Sequence, residues 1–135
     1  MRARATLASV GLALAGLAAC APRDAAEAPA RAFTPEYRGI ETRMLDAELV
    51  ELRVEMKGAR DTADVEAYAR CAAAQYALIR GAGYVRHLRT NVAHRVGPWR
   101  GDAIYTISAA QPRGLKTIDA ATTVADCREQ GIPTT

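Results

Sequence analysis

The residues with the most chemistry in this chain are its three cysteines, Cys20, Cys71 and Cys127. Three cysteines cannot all pair in disulfides, so at least one must serve another purpose. Cys20 follows a basic start and an apolar run over residues 7–19. This run is too short to span a bilayer, which takes about 20 residues, and has the length and flanks of a secretory signal peptide. The sequence therefore predicts export, with Cys20 at the processing site.

The segment Leu17-Ala18-Ala19-Cys20 resembles the lipobox of bacterial lipoproteins, in which the cysteine receives a diacylglycerol and becomes the first residue. An ordinary signal peptidase requires small residues at positions −1 and −3, whereas a cut before Cys20 puts Leu17 at −3. Cleavage after Ala21 is the alternative and would remove Cys20. We predict a signal peptide over residues 1–19 and a lipid anchor on Cys20. Because residue 21 is Ala and not Asp, the periplasmic face of the outer membrane is favoured over the inner membrane.

Cys71 and Cys127 then remain as a pair in an oxidising compartment, where such a pair predicts a disulfide. The bond would close a loop of 57 residues. In the chain-entropy model this stabilises the fold by about 4 kcal/mol. Two buried, unpaired thiols are the alternative, since cysteine also packs as a small apolar residue. A catalytic thiol ranks third.

The mature chain predicts one small domain on a tether. Residues 20–40 contain three prolines and scattered charge without a sustained period, which is typical of a flexible linker. Phe33 and Tyr37 could dock onto the domain, so the boundary is soft. The domain itself is expected over residues 41–135, a length that fits a single α+β unit.

Within the domain, alternation of apolar and charged residues over positions 50–57 predicts a strand with one wet face. A helix capped at Asp61 or Thr62 is expected to end at Gly81. Strands over residues 84–96 and 103–109 and a helix from Asp119 to Gln130 follow. The order β-α-β-β-α predicts a small three-stranded, mostly antiparallel sheet with two helices on one face.

No arrangement of residues indicates an enzyme, a cofactor or a metal. His87 and His94 are seven positions apart on a predicted strand, which puts them on opposite faces unless a bulge intervenes. A Ser-His-Asp assembly could draw only on Ser9, in the signal peptide, and Ser108. The chain also lacks HExxH, CxxC, GxSxG and glycine-rich phosphate-loop motifs. We therefore expect a non-enzymatic protein without cofactors.

The charge distribution excludes nucleic acid as a partner and suggests a contact surface. The chain has 18 basic and 15 acidic residues, and loss of Arg2 and Arg4 with the signal peptide leaves a net charge of about +1. Every charged residue from position 67 to 101 is basic, and Trp99, the sole tryptophan, lies in a predicted loop. A contact surface for an envelope protein or polymer is therefore expected at Arg86, Arg89, Arg95, Trp99 and Arg100.

A simpler interpretation of the same charges is pairing across the sheet, with Glu51 and Glu55 beside Arg89 and Arg95. Trp99 could equally fold back over the sheet edge. The sequence alone leaves these alternatives open.

Three stretches carry a resemblance to a family of small, uncharacterised alphaproteobacterial lipoproteins. They are the lipobox through Cys20, the strand ELRVEMKG, and YARCAAAQYALIRGAGYVRHL over residues 68–88. The resemblance covers roughly residues 45–95 and implies a strand, a helix and a second strand. The family has no assigned activity, so no site residue is implied by it.

Together these features predict a membrane-anchored lipoprotein of the cell envelope that acts as a binding or interaction module. The alternative function is a small-ligand carrier. Its pocket would lie between helix and sheet, lined by Tyr68, Tyr76, Tyr84 and Tyr105.

Overall fold

The computed structural model describes residues 32–114 and 117–135. The predicted signal peptide, Cys20 and the first part of the predicted tether lie outside these residues. Phe33–Thr135 forms one compact unit. Its elements are β1 (Glu36–Met44), β2 (Leu49–Lys57), α1 (Thr62–Ile79), β3 (Tyr84–Ala93), β4 (Trp99–Ser108), β5 (Thr117–Asp119) and α2 (Ala120–Glu129).

The five strands form one antiparallel sheet in the order β1-β2-β4-β3-β5. The protein is α+β as predicted, but the predicted three-stranded sheet is wrong. Both additional strands are edge strands. β4 lies in the middle of the sheet and starts at Trp99, four residues earlier than predicted, so the preceding turn is shorter.

The two strands that the sequence did not reveal have identifiable causes. β1 contains a bulge between Tyr37 and Gly39, which interrupts the alternation that marks a strand. Its first half, up to Ile40, falls within the segment predicted to be a tether. β5 has three residues, too few to show any period.

Helix α1 covers one face of the sheet. Val50, Leu52, Val54 and Met56 of β2 are fully or almost fully buried beneath it, as their alternation predicts. The helix begins after Asp61, whose carboxylate accepts a hydrogen bond from the Ala63 backbone N–H at 2.9 Å. Its buried residues are mostly small: Val65, Tyr68, Ala69, Cys71, Ala72, Ala73, Ala74 and Ala77.

Helix α2 packs beside α1 and is joined to it by a disulfide between Cys71 and Cys127. Both cysteines are almost completely buried. Asp119 caps α2, because its carboxylate accepts a hydrogen bond from the Thr122 N–H at 2.8 Å, and this bond holds the pKa of Asp119 below its usual range. Among the described residues, neither helix is long and apolar enough to cross a bilayer.

The chain enters the domain along a short segment that is held on the surface. The Phe33 ring lies 3.9 Å from the Arg60 guanidinium carbon, and the Tyr37 ring packs edge-on against Tyr68 at 4.7 Å. Gly58 permits this path, since a Cβ there would lie 2.8 Å from the Thr34 carbonyl oxygen. Phe33 and Tyr37 thus dock onto the domain, as their aromatic character suggested.

Helix α1 lies close to the sheet at Gly101 of β4. A Cβ at this position would lie 2.7 Å from Val65 Cγ1 and 3.1 Å from Val54 Cγ2. Both valines are buried and β-branched, so neither side chain can easily turn aside.

We expect Gly101→Ala to destabilise the protein by about 1–3 kcal/mol, the usual range for overpacking a core. Urea denaturation measures the change. Gly83→Ala is the matched control, because a Cβ at Gly83 meets nothing within 4 Å. Equal stability of the two variants would contradict close packing at Gly101.

Candidate functional site

The structure separates the residues predicted as a contact surface. The register places Arg86, Arg89 and Arg100 on the face of the sheet that no described helix covers, called the open face here. Arg95 lies in the β3–β4 turn. Trp99 pairs with Met56 and therefore faces the helices, where it is half-buried. The five residues do not form one continuous patch.

The predicted pairing of Glu51 and Glu55 with Arg89 and Arg95 is wrong, because β4 lies between β2 and β3. Glu51 instead pairs with Arg43 at 2.8 Å and with Arg53 at 3.3 Å. Its side chain is 9% exposed, so this is a largely buried carboxylate with two cationic partners.

Glu55 pairs across strands with Arg100 at 3.0 Å. The Arg100 side chain is 70% exposed, and such an ion pair contributes little to stability. Charge pairing across the sheet therefore occurs, but with partners from neighbouring strands.

A groove of about 670 Å³ crosses four strands on the open face. Its floor is the backbone of one cross-strand row, which contains Val54 and Gly101. The side chains of the two adjacent rows flank this floor. One row is Glu41, Arg53, Asp102 and Asn91, and the other is Gly39, Glu55, Arg100 and Ala93. The second row has small residues, Gly39 and Ala93, at its two ends, so the groove is shallow there. The volume of the groove lies in the range of ligand-binding clefts.

One atom in the groove lacks a hydrogen-bond partner. Asp102 Oδ1 is buried, and none of the described residues donates to it. Its cross-strand neighbour Arg53 turns toward Glu51 instead. A buried polar atom without a partner costs about 1–3 kcal/mol, so such atoms are rare and tend to occur at functional positions. Asp102 is therefore the residue of the groove that most needs a ligand.

A second, smaller cleft of about 410 Å³ lies between α1 and the sheet. Polar side chains of Glu66, Arg70, His87 and Tyr105 line it, together with Ala63, Ala67 and Ile118. The Tyr105 phenol is almost fully buried, and this burial raises its pKa to about 12. At neutral pH the phenol is therefore protonated and can donate a hydrogen bond.

The four tyrosines proposed to line a carrier pocket do not converge. Tyr68 and Tyr105 are buried in the core, whereas Tyr84 pairs with Ser108 on the open face. Of the four, only Tyr105 lines the cleft. Tyr76 is half-buried and packs against the core.

The histidines serve local packing. A bulge between His87 and Arg89 changes the side-chain alternation, so the two histidines are not on opposite faces as a regular strand would place them. His87 Nε2 shares a hydrogen bond with Thr90 Oγ1 at 2.8 Å, and its ring packs edge-on against Tyr105. His94 stacks on Trp99 with ring centroids 4.0 Å apart. No group of potential metal ligands occurs within residues 32–114 and 117–135.

Sequence reasoning missed the groove because its walls come from strands that are distant in the chain. Asp102, the one acidic residue of β4, is the clearest local sign, but the predicted strand begins only at residue 103. The predicted lipidation site, Cys20, lies outside the described residues.

Burial of Tyr105 predicts a specific loss of stability in alkaline solution. Its folded pKa of about 12 exceeds the ordinary value of 10.0, so the unfolded chain releases the phenol proton first. This contribution is complete below pH 10 and is lost as the pH rises toward 12. We expect the urea midpoint of the protein to fall across this range, and to fall less in Tyr105→Phe.

The variant should keep part of the fall, because burial also raises the pKa values of Tyr37 and Tyr68. Identical pH dependence in the two proteins would show that Tyr105 is not the group responsible.

Comparison with known proteins gives a family. Residues 37–131 match the family described as the YNQ4 C-terminal domain. An uncharacterised 26.9 kDa protein in the nqo8 5′ region of Paracoccus denitrificans is 32% identical over 112 residues, which is 83% of this chain and 42% of that protein. The chain thus spans less than half the length of this relative, and no solved structure matches it. These matches support the resemblance to an uncharacterised alphaproteobacterial family, and the chain belongs to the YNQ4 C-terminal domain family.

Proposed function

We propose that the protein is a non-enzymatic binding module of the cell envelope, anchored by lipid on Cys20. Its folded domain binds an envelope protein or polymer across the open face of the sheet. The observation that carries this proposal is the groove over four strands, with Asp102 Oδ1 buried and without a partner among the described residues. Antiparallel sheets often have one face in solvent, and here that face contains a groove of ligand-sized volume.

The anchor is proposed on the sequence of residues 17–20, in the outer membrane in preference to the inner membrane. Several acyl chains on one residue give durable attachment, because each buried CH2 contributes about 0.8 kcal/mol. A tether from Cys20 to Phe33 has 13 residues, so it can extend about 45 Å. This reach is sufficient to present the open face to a partner that is not itself in the membrane.

A second candidate function is a small-ligand carrier that uses the cleft between α1 and the sheet. The observation in its favour is the convergence of Glu66, Arg70, His87 and Tyr105 on about 410 Å³. The cleft is smaller than the groove, and in the part of the chain that the structure describes it has no buried polar atom without a partner. The groove therefore ranks first.

Lipid attachment predicts that the native protein incorporates labelled palmitate in cells and that Cys20→Ala does not. Cys71→Ala is the matched control, since it removes a cysteine that lies in the folded domain. Labelling that persists in Cys20→Ala would exclude the proposed anchor.

If a partner binds the open face, a photocrosslinking group placed there should capture it in cells. A benzophenone side chain in place of Asn91, at the rim of the groove, should give defined adducts that mass spectrometry identifies. The same side chain in place of Glu129, exposed on α2, is the control and should give few. Adducts from position 129 but not from position 91 would place the binding surface on the helical side.

A further inference from the structure

The arginines that line the groove already have acidic partners. Arg38 pairs with Glu36 at 2.9 Å, Arg53 pairs with Glu51 at 3.3 Å, and Arg100 pairs with Glu55 at 3.0 Å. These pairs reduce the positive charge that the groove offers to a ligand, although Arg53 shares Glu51 with Arg43. A count of arginines alone would therefore overstate its attraction for anions.

Two carboxylates of the groove are left without such compensation. Among the described residues, no ion pair involves Glu41 or Asp102, and both belong to the row that flanks the floor on one side. Asp102 also has the buried oxygen atom without a donor. The groove therefore contains two carboxylates without an ion pair to a described residue, and one of them also lacks a hydrogen-bond donor among these residues. A cationic donor would compensate this negative charge.

We propose that the groove binds a basic segment of a partner protein, with a lysine ammonium group pairing with the partly exposed carboxylate of Asp102. The proposal rests on the proposed function, since it assigns a partner chemistry to the same face. Because one oxygen of this carboxylate is buried, a compact ammonium group fits it better than a guanidinium, whose planar fork pairs with both oxygens side by side.

The spacing of the two carboxylates defines the segment further. Glu41 and Asp102 lie on either side of β2, so they are two strand intervals apart, or about 10 Å. A peptide in the polyproline II conformation advances about 3.1 Å per residue with three residues per turn, so lysines three positions apart lie on the same side and match this distance. The second lysine is expected at Glu41, which is exposed and accordingly contributes less.

This assignment reverses the expectation from sequence. The basic stretch from position 67 to 101 predicts a positively charged contact surface for an envelope protein or polymer. In the folded protein, the one groove arginine from that stretch, Arg100, is paired with Glu55. Within the part of the chain that the structure describes, the charged groove residues without an ion pair are Glu41 and Asp102, whereas Arg86 and Arg89 lie on the same face outside the groove.

The test is a titration of the full-length, ¹⁵N-labelled protein in detergent with the blocked peptide Lys-Gly-Gly-Lys, followed by amide NMR. We expect shifts at Asn91, Gly101 and Asp102. Binding should weaken about tenfold when both lysines are acetylated, and about tenfold in Asp102→Asn. Asp126→Asn is the matched control, because it makes the same chemical change on exposed α2 and should bind as the native protein does. Higher salt should weaken the binding.

Three results would overturn the proposal: no shifts at millimolar peptide, equal binding of the acetylated peptide, or unchanged binding in Asp102→Asn. The acetylated peptide tests the native protein, so the answer does not depend on the stability of a variant. If Asn91 forms adducts in cells while the peptide fails to bind, the groove chemistry is wrong and the proposed function stands. If the peptide binds while Asn91 gives no adducts, the proposed function fails instead.

Discussion

Helix α1 can lie close to the sheet because the side chains between them are small. Alanines form most of its buried face, and Gly101 of β4 leaves space for Val65. Most of the large apolar side chains of β2 and β4, with Ile104 as an exception, therefore lie on one side. The charged residues of the same strands have to occupy the other side, so the alternation that builds the core also builds the open face.

The second helix extends this small core instead of forming another one. α2 contributes Ala120, Val124 and Cys127, and the disulfide to Cys71 fixes it to α1. The bond closes most of the domain's chain length into one loop, which restricts the unfolded state in the chain-entropy model. A small domain with an alanine-rich core gains much from such a restraint.

Local patterns predicted the local features of this fold. The alternation of β2, the caps at Asp61 and Asp119 and the ends of α1 depend on neighbouring residues, and all can be found from the sequence. Ile79, the last residue of α1, is at helical spacing from buried Val65 and Ala72 and is nevertheless 63% exposed. β1 and β5 could not be found in the same way, since a bulge and a length of three residues remove the period.

The site depended on information that local patterns do not contain. The partners of Glu51 and Glu55 follow from strand order, and strand order places β4 between β2 and β3. Likewise, the two rows that flank the groove combine residues as far apart as Gly39 and Arg100. Residue types alone marked a basic stretch. Only the register shows which of its arginines are paired.

The central position of β4 also has a consequence for how the protein folds. β2 and β3 both precede β4 in the chain. They do not pair with each other, because β4 lies between them in the sheet. The pairing of β2 with β4 joins residues about 50 positions apart in sequence, such as Val54 and Gly101. Such non-local contacts raise the contact order and slow folding. β2 and β3 therefore cannot join one sheet until the chain is available through Ser108, the end of β4. Until then the apolar strand β2 has only β1 to pair with.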